Sequence, residues 1–120
     1  ELRMADLIVD SLCDFLHREG QAGRTIKGID RLRTKRETSM AAQLCMKSGT
    51  RLSTMMGVTA QTGRNPVQRH FRDLRTMSTH GALHWDNATT PTGQYLLGIE
   101  TGDVLIDQEN EYLKKQENNS

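Results

Sequence analysis

Apolar residues in this chain recur at helical intervals, and that spacing constrains the fold more than any other feature. Met4, Leu7, Ile8, Leu12, Phe15 and Leu16 share one face of a first helix, which Gly20 is placed to end. The stretch 21–28, with glycines at 23 and 28, reads as a loop. Asp30 then caps a long second helix ending near Gly57, with Leu32, Met40, Ala41, Leu44, Cys45, Leu52 and Met55 facing inward. Asn65-Pro66 supplies an N-cap followed by proline in the first turn, which starts a third helix. Its spacing predicts a run to about His84, with Val67, Phe71, Leu74, Ser78, Gly81 and Trp85 on one side. Thr90-Pro91 repeats the device for a short helix through Leu96 and Leu97.

Aromatic residues make up only 4% of the 120, so the core must be built from Leu, Met, Ile and Ala, which suits helices better than sheet. The expected fold is therefore all-α, an antiparallel helical bundle over 1–102. After Gly102 the chain turns acidic and amide-rich, and 103–120 is expected to pack loosely, although Val104, Leu105 and Ile106 are apolar enough to dock.

Acids and bases nearly cancel, to a formal charge of +1, which provides no field for nucleic acid or an anionic membrane. The cations Arg24, Lys27, Arg31, Arg33, Lys35 and Arg36 are interspersed with Asp30 and Glu37 and have no aromatic neighbours, so a solvated face is expected there rather than a nucleic-acid surface. No apolar run approaches the roughly 20 residues that span a bilayer. Cys13 and Cys45 lie on apolar helix faces away from ligand partners and read as reduced core thiols, which fits a cytoplasmic protein. The chain opens at Glu1 inside a helix pattern, so a piece of something longer is expected.

The third helix carries the chemistry-bearing residues. Arg69, Asp73, Thr76 and His80 fall on one strip opposite Val67, Phe71 and Leu74. A solvated face with an Arg69/Asp73 pair is the plain reading of that strip. His80 and His84 have a spacing that can serve a metal, but no glutamate follows His80 as a zinc-protease base, so no metal is expected. The polar segment 57–63 precedes a helix N-terminus, where free backbone N–H groups can meet an anion.

The order of these features, and above all Asn65-Pro66-Val67-Gln68-Arg69-His70-Phe71-Arg72-Asp73-Leu74 running on to Thr79-His80 and Trp85-Asp86, resembles the flavin-dependent monooxygenases built on the acyl-CoA dehydrogenase fold. The likeness is specific from Gly57 to Asp86 and extends by helix order over 1–98. It implies a C-terminal helical domain of an enzyme in which reduced flavin, FMN or FAD, is supplied by a separate reductase and activates oxygen for transfer to a small organic substrate. A histidine bordering flavin and substrate falls on His80, which as an imidazole can take a phenolic proton or hold an oxygen by a hydrogen bond. Gly57, Thr59 and Gln61 fall where the family approaches flavin, and Arg69, Arg72 and Asp73 where ion pairs anchor the helix. Met56 stands where the family has a second small residue.

The resemblance further implies self-association through the bundle, to tetramers. The family's flavin and substrate contacts come mostly from an N-terminal helical domain and a β-domain outside this stretch, so the chain alone is expected to be inactive. Two other readings remain: an acyl-CoA dehydrogenase, which would show a Glu-Gly-Thr segment where this chain has Ala82 to Asn87, and a non-catalytic oligomerising module.

Overall fold

The computed structural model describes residues 1–119, the side chains of Ala60, Gln116 and Glu117 aside. Six α-helices follow in order: α1 (Leu2–Gln21), α2 (Gly28–Met55), α3 (Pro66–Ser78), α4 (Trp85–Leu97), α5 (Val104–Asp107) and α6 (Glu111–Glu117). A 3₁₀ turn, Gly57–Gln61, lies between α2 and α3. No strand occurs among the described residues, so the architecture is the expected all-α bundle.

α2 is the central strut, about 42 Å long at 1.5 Å per residue, and α1, α3, α4 and α5 all pack against it. A helix covered on several sides cannot carry a single apolar stripe. The expected inward face holds in part: Leu32 and Ala41 are buried, but Met40, Leu52 and Met55 are exposed. The covered positions missed in the sequence are small ones. Ser39 and Ser53 are buried, and at Gly49 the side chains of Leu74 and Phe71 from α3 stand against the bare backbone. Small residues there let α3 approach closely.

Only part of the first helix's apolar face is used. Ala5 and Leu12 are buried and Ile8 and Phe15 half-buried, whereas Met4, Leu7 and Leu16 are exposed. Cys13, expected in the core, is also exposed, and Cys45 is half-buried. The physical reason is that α1 packs mainly on α2 and has no second layer beyond it. Two cations of the basic stretch pair locally, Arg24 with Glu19 at 2.7 Å and Arg33 with Glu37 at 2.7 Å; Arg33 also lies 5.7 Å from the Phe15 ring centre, and Lys35 reaches Asp103 at 4.0 Å.

Helix boundaries differ from expectation at three places. α2 starts at Gly28, and its first N–H is capped not by Asp30 but by the Glu109 carboxylate from the far end of the chain. α3 stops at Ser78, where the backbone tightens: the Thr79 amide donates to the Thr76 carbonyl at 3.2 Å and the His80 amide to the Met77 carbonyl at 3.1 Å, with the hydroxyls of Ser78 and Thr79 on the carbonyls of Arg75 and Thr76 at 2.8 Å each. α4 begins at Trp85, so Pro91 lies inside it rather than at its start. The buried face Ala88, Thr92 and Tyr95, at helical spacing, outweighs the lost hydrogen bond. The Asn65 cap is as expected, with its side chain accepting from the Val67 amide at 2.9 Å.

Of the three apolar residues past Gly102, Ile106 docks, while Val104 and Leu105 stay exposed. Ile106 is buried with Leu32 and Tyr95, forming the apolar centre of the molecule. Asn110 is fully buried, donating to the Tyr95 carbonyl at 3.2 Å and accepting from the Tyr112 amide at 3.0 Å. Asp107 accepts from the Thr101 amide and hydroxyl, at 2.9 and 2.7 Å. Asp103 and Asn110 each cap the short helix that follows, so polar residues that looked like disorder are turn chemistry. Ser120, the last residue of the tail, lies outside the described residues.

The radius of gyration is 18.6 Å and the extents 62 × 34 × 19 Å, against a radius of about 14 Å for a compact domain of this length. The molecule is a slab with large uncovered faces.

Candidate functional site

The two groups of residues singled out in the sequence sit at opposite ends of α3. Gly57, Thr59 and Gln61 belong to the 3₁₀ turn before it, and His80 lies just past its C-cap, Thr79. A helix of this length separates them by about 20 Å. The chain does not bring them into one pocket.

At the first end, Gly57 reverses the chain with φ +60°, a conformation that favours glycine, and no atom lies within 4 Å of where a Cβ would stand. The backbone there is open to close approach. Thr59 is exposed, and its carbonyl accepts from the Thr62 hydroxyl at 3.0 Å. Gln61 donates through Nε2 to Ser53 Oγ at 3.2 Å, which fastens the turn to α2. Met55 and Val58, 83% and 84% exposed, flank it and leave an apolar rim without cover.

At the second end, His80 is not on the polar strip of α3, because the helix has already ended. It opens a tight turn in which its carbonyl accepts from the Leu83 amide at 2.8 Å. Its ring nitrogen Nδ1 accepts from the Ala82 amide at 3.2 Å. A backbone N–H can only donate, so this contact assigns the lone pair to Nδ1 and the proton of the neutral ring to Nε2. His80 is exposed, and its Nε2–H is thereby set as a hydrogen-bond donor.

The turn is tied down twice. Asn87 of α4 donates to the Gly81 carbonyl at 3.3 Å, and Ser39 of α2 donates to the Leu83 carbonyl at 2.8 Å. Beside it, Met40, Gln43, His84, Trp85 and Asp86 line an open groove of about 420 Å³. Sequence reasoning missed Ser39 and Gln43, because a polar residue inside a long helix gives no sign of what it faces.

Arg69 and Arg72 approach Asp73 at 3.9 and 4.0 Å, all three exposed. The Arg69/Asp73 pair is the i,i+4 contact expected of a solvated face, and among the described residues these long contacts lie within α3. Among the described residues no cluster of histidine, cysteine or carboxylate side chains is grouped to hold a metal, and no helix is long and apolar enough to cross a membrane.

The chain matches the acyl-CoA dehydrogenase C-terminal domain family over residues 1–85, a span that takes in the 3₁₀ turn, α3 and the His80 turn. It is 30% identical over 115 residues to the oxygenase component of the FADH(2)-dependent resorcinol hydroxylase of Rhizobium sp. (strain MTP-10005). That alignment covers 83% of this chain and 28% of the relative, so the chain spans little more than a quarter of the relative's length. No solved structure matches.

Proposed function

The chain belongs to the acyl-CoA dehydrogenase C-terminal domain family, and we propose that it is the C-terminal domain of a reduced-flavin-dependent hydroxylase acting on a small phenolic compound. The observation that carries this reading is His80, exposed past the end of α3 with Nδ1 engaged by Ala82 and Nε2–H free to donate. The dependence of the relative on FADH(2) supports FAD as the flavin and a separate reductase as its source.

The residues present suit one wall of a flavin site. Gly57 offers open backbone, and Thr59 an exposed hydroxyl beside it. Gln61 holds the turn against Ser53. The flavin, when bound, supplies the electrons that activate oxygen. His80 donates from Nε2 to an oxygen of the substrate, and this orients the ring to be hydroxylated. The groove beside Trp85 keeps apolar surface next to that ring. Because the turn and His80 are about 20 Å apart, they serve different parts of the ligand set or sites in different copies. The uncovered faces of the slab suit self-association through the bundle.

The test is reconstitution of the full-length protein with a flavin reductase, FAD, NADH and resorcinol as probe substrate. Hydroxylated product formed in step with oxygen consumption is the expected result. Oxidation of an acyl-CoA thioester instead would replace this reading with the dehydrogenase one.

A further inference from the structure

α2 carries four threonines, Thr34, Thr38, Thr50 and Thr54, whose hydroxyls all fold back onto the carbonyl four residues earlier, at 2.8 to 2.9 Å. That is the ordinary fate of a hydroxyl in a helix. Ser39 departs from it. Its side chain is completely buried, and it reaches across to donate to the Leu83 carbonyl, 44 residues away in sequence, at 2.8 Å.

Leu83 is bonded on both sides of its peptide units. Its carbonyl accepts from Ser39, and its amide donates to the His80 carbonyl at 2.8 Å. Between them, the Ala82 amide donates to His80 Nδ1. Ser39 is therefore linked to the imidazole by three hydrogen bonds, two of 2.8 Å that hold and close the turn and one of 3.2 Å that reaches the ring. An exposed turn of this kind would otherwise sample several arrangements, because little apolar burial holds it.

We infer that Ser39 is a positioning residue for His80: by holding the Leu83 carbonyl against α2 it keeps the turn closed, and the closed turn keeps Ala82 N–H on Nδ1 and the proton on Nε2. This inference rests on the hydroxylase reading for its functional consequence. Its structural half stands on the turn alone.

Two readouts test it. In the 120-residue chain, amide hydrogen exchange at Leu83 and Ala82 should speed up about tenfold in Ser39→Ala, the scale of one lost hydrogen bond, while exchange in the middle of α2 stays unchanged. Unchanged exchange at Leu83, or an equal increase along α2, overturns the inference. In the full-length protein with reductase, FAD and resorcinol, Ser39→Ala should lower product per oxygen consumed about tenfold. The same substitution should have no further effect in a His80→Ala background. An equal further loss there would show that Ser39 does not act through His80. If His80→Ala itself changes nothing, the hydroxylase site is misplaced, and the exchange data still decide whether Ser39 closes the turn. Ser39→Cys, close in size but a poor donor, should reproduce both effects with packing preserved, so a poorly folding alanine variant does not stop the test.

Discussion

Leu74 of α3 fills the space that a side chain at position 49 of α2 would need: its Cδ2 stands 2.5 Å from the point where a Gly49 Cβ would sit. Gly28 is crowded differently, since a Cβ there would come within 3.1 Å of the Ile106 Cα. A leucine methyl can swing away, but backbone cannot. Alanine also gains about 1 kcal/mol over glycine inside a helix, which offsets the repacking at position 49. Gly49→Ala is thus expected to change stability by about 1 kcal/mol or less. Gly28→Ala should cost about 2 kcal/mol, by displacing the α5 segment. Urea unfolding followed by circular dichroism gives both values, and the reverse order would contradict this account of the packing.

The C-terminal segment is held by polar residues as much as by apolar ones. Asn110→Ala removes the cap from the Tyr112 and Leu113 amides and the bond to the Tyr95 carbonyl. Loss of about 2 kcal/mol is expected. A loss below about 0.5 kcal/mol, the level of an ordinary surface change, would mean that the segment is merely laid on the surface.

What could be read from the sequence, and what could not, follows from where each signal resides. The Asn65-Pro66 cap and the turn at Gly57 depend on local chemistry, and both stand where the spacing placed them. The burial of Ser39 and the exposure of Met55 depend on which faces have neighbours, and an apolar count cannot see that. The same holds for His80. Helical periodicity carried it onto the α3 strip, whereas α3 ends at Ser78, two residues before it. Pro91 misled in the opposite sense, because the local start signal of Thr90-Pro91 was overridden by the buried face of α4, which begins at Trp85.

Asp107 provides a pH dependence with a definite sign. The Thr101 amide is the largest cause holding its carboxyl below the usual aspartate range, burial opposes it, and the Thr101 hydroxyl and Gly102 amide add to the lowering. A group whose pKa is depressed in the folded state contributes stability that is present above the unfolded value, about 3.9, and is lost as pH falls through the folded value. The 101–107 clasp should therefore loosen only in acid. Amide exchange at Thr101 and Gly102, corrected for its intrinsic pH dependence, should rise below about pH 4, and Asp107→Asn should abolish that rise. A transition near neutral pH would assign the effect to another group.

The uncovered apolar residues Leu2, Met4 and Leu7 on α1, and Leu96 and Ile99 near the end of α4, lead us to expect dimers or larger assemblies of the isolated chain. On the proposed reading, in which this chain supplies one wall of a flavin site, it should also have negligible affinity for reduced flavin. Sedimentation showing a clean monomer at high concentration would count against the first expectation, and stoichiometric tight binding in a flavin titration against the second.

Whether His80 donates a hydrogen bond in oxygen transfer is read from the product formed per oxygen consumed by the full-length His80→Ala protein. His80 is exposed and its side chain bonds to the Ala82 amide of its own turn, so the substitution should alter stability by about 0.5 kcal/mol or less and leave flavin binding intact. Product formation should fall about a hundredfold or more, the scale of losing one preorganised donor, while oxygen is still consumed and released as hydrogen peroxide. Coupling equal to that of the unsubstituted protein would contradict the account and make His80 an ordinary surface residue.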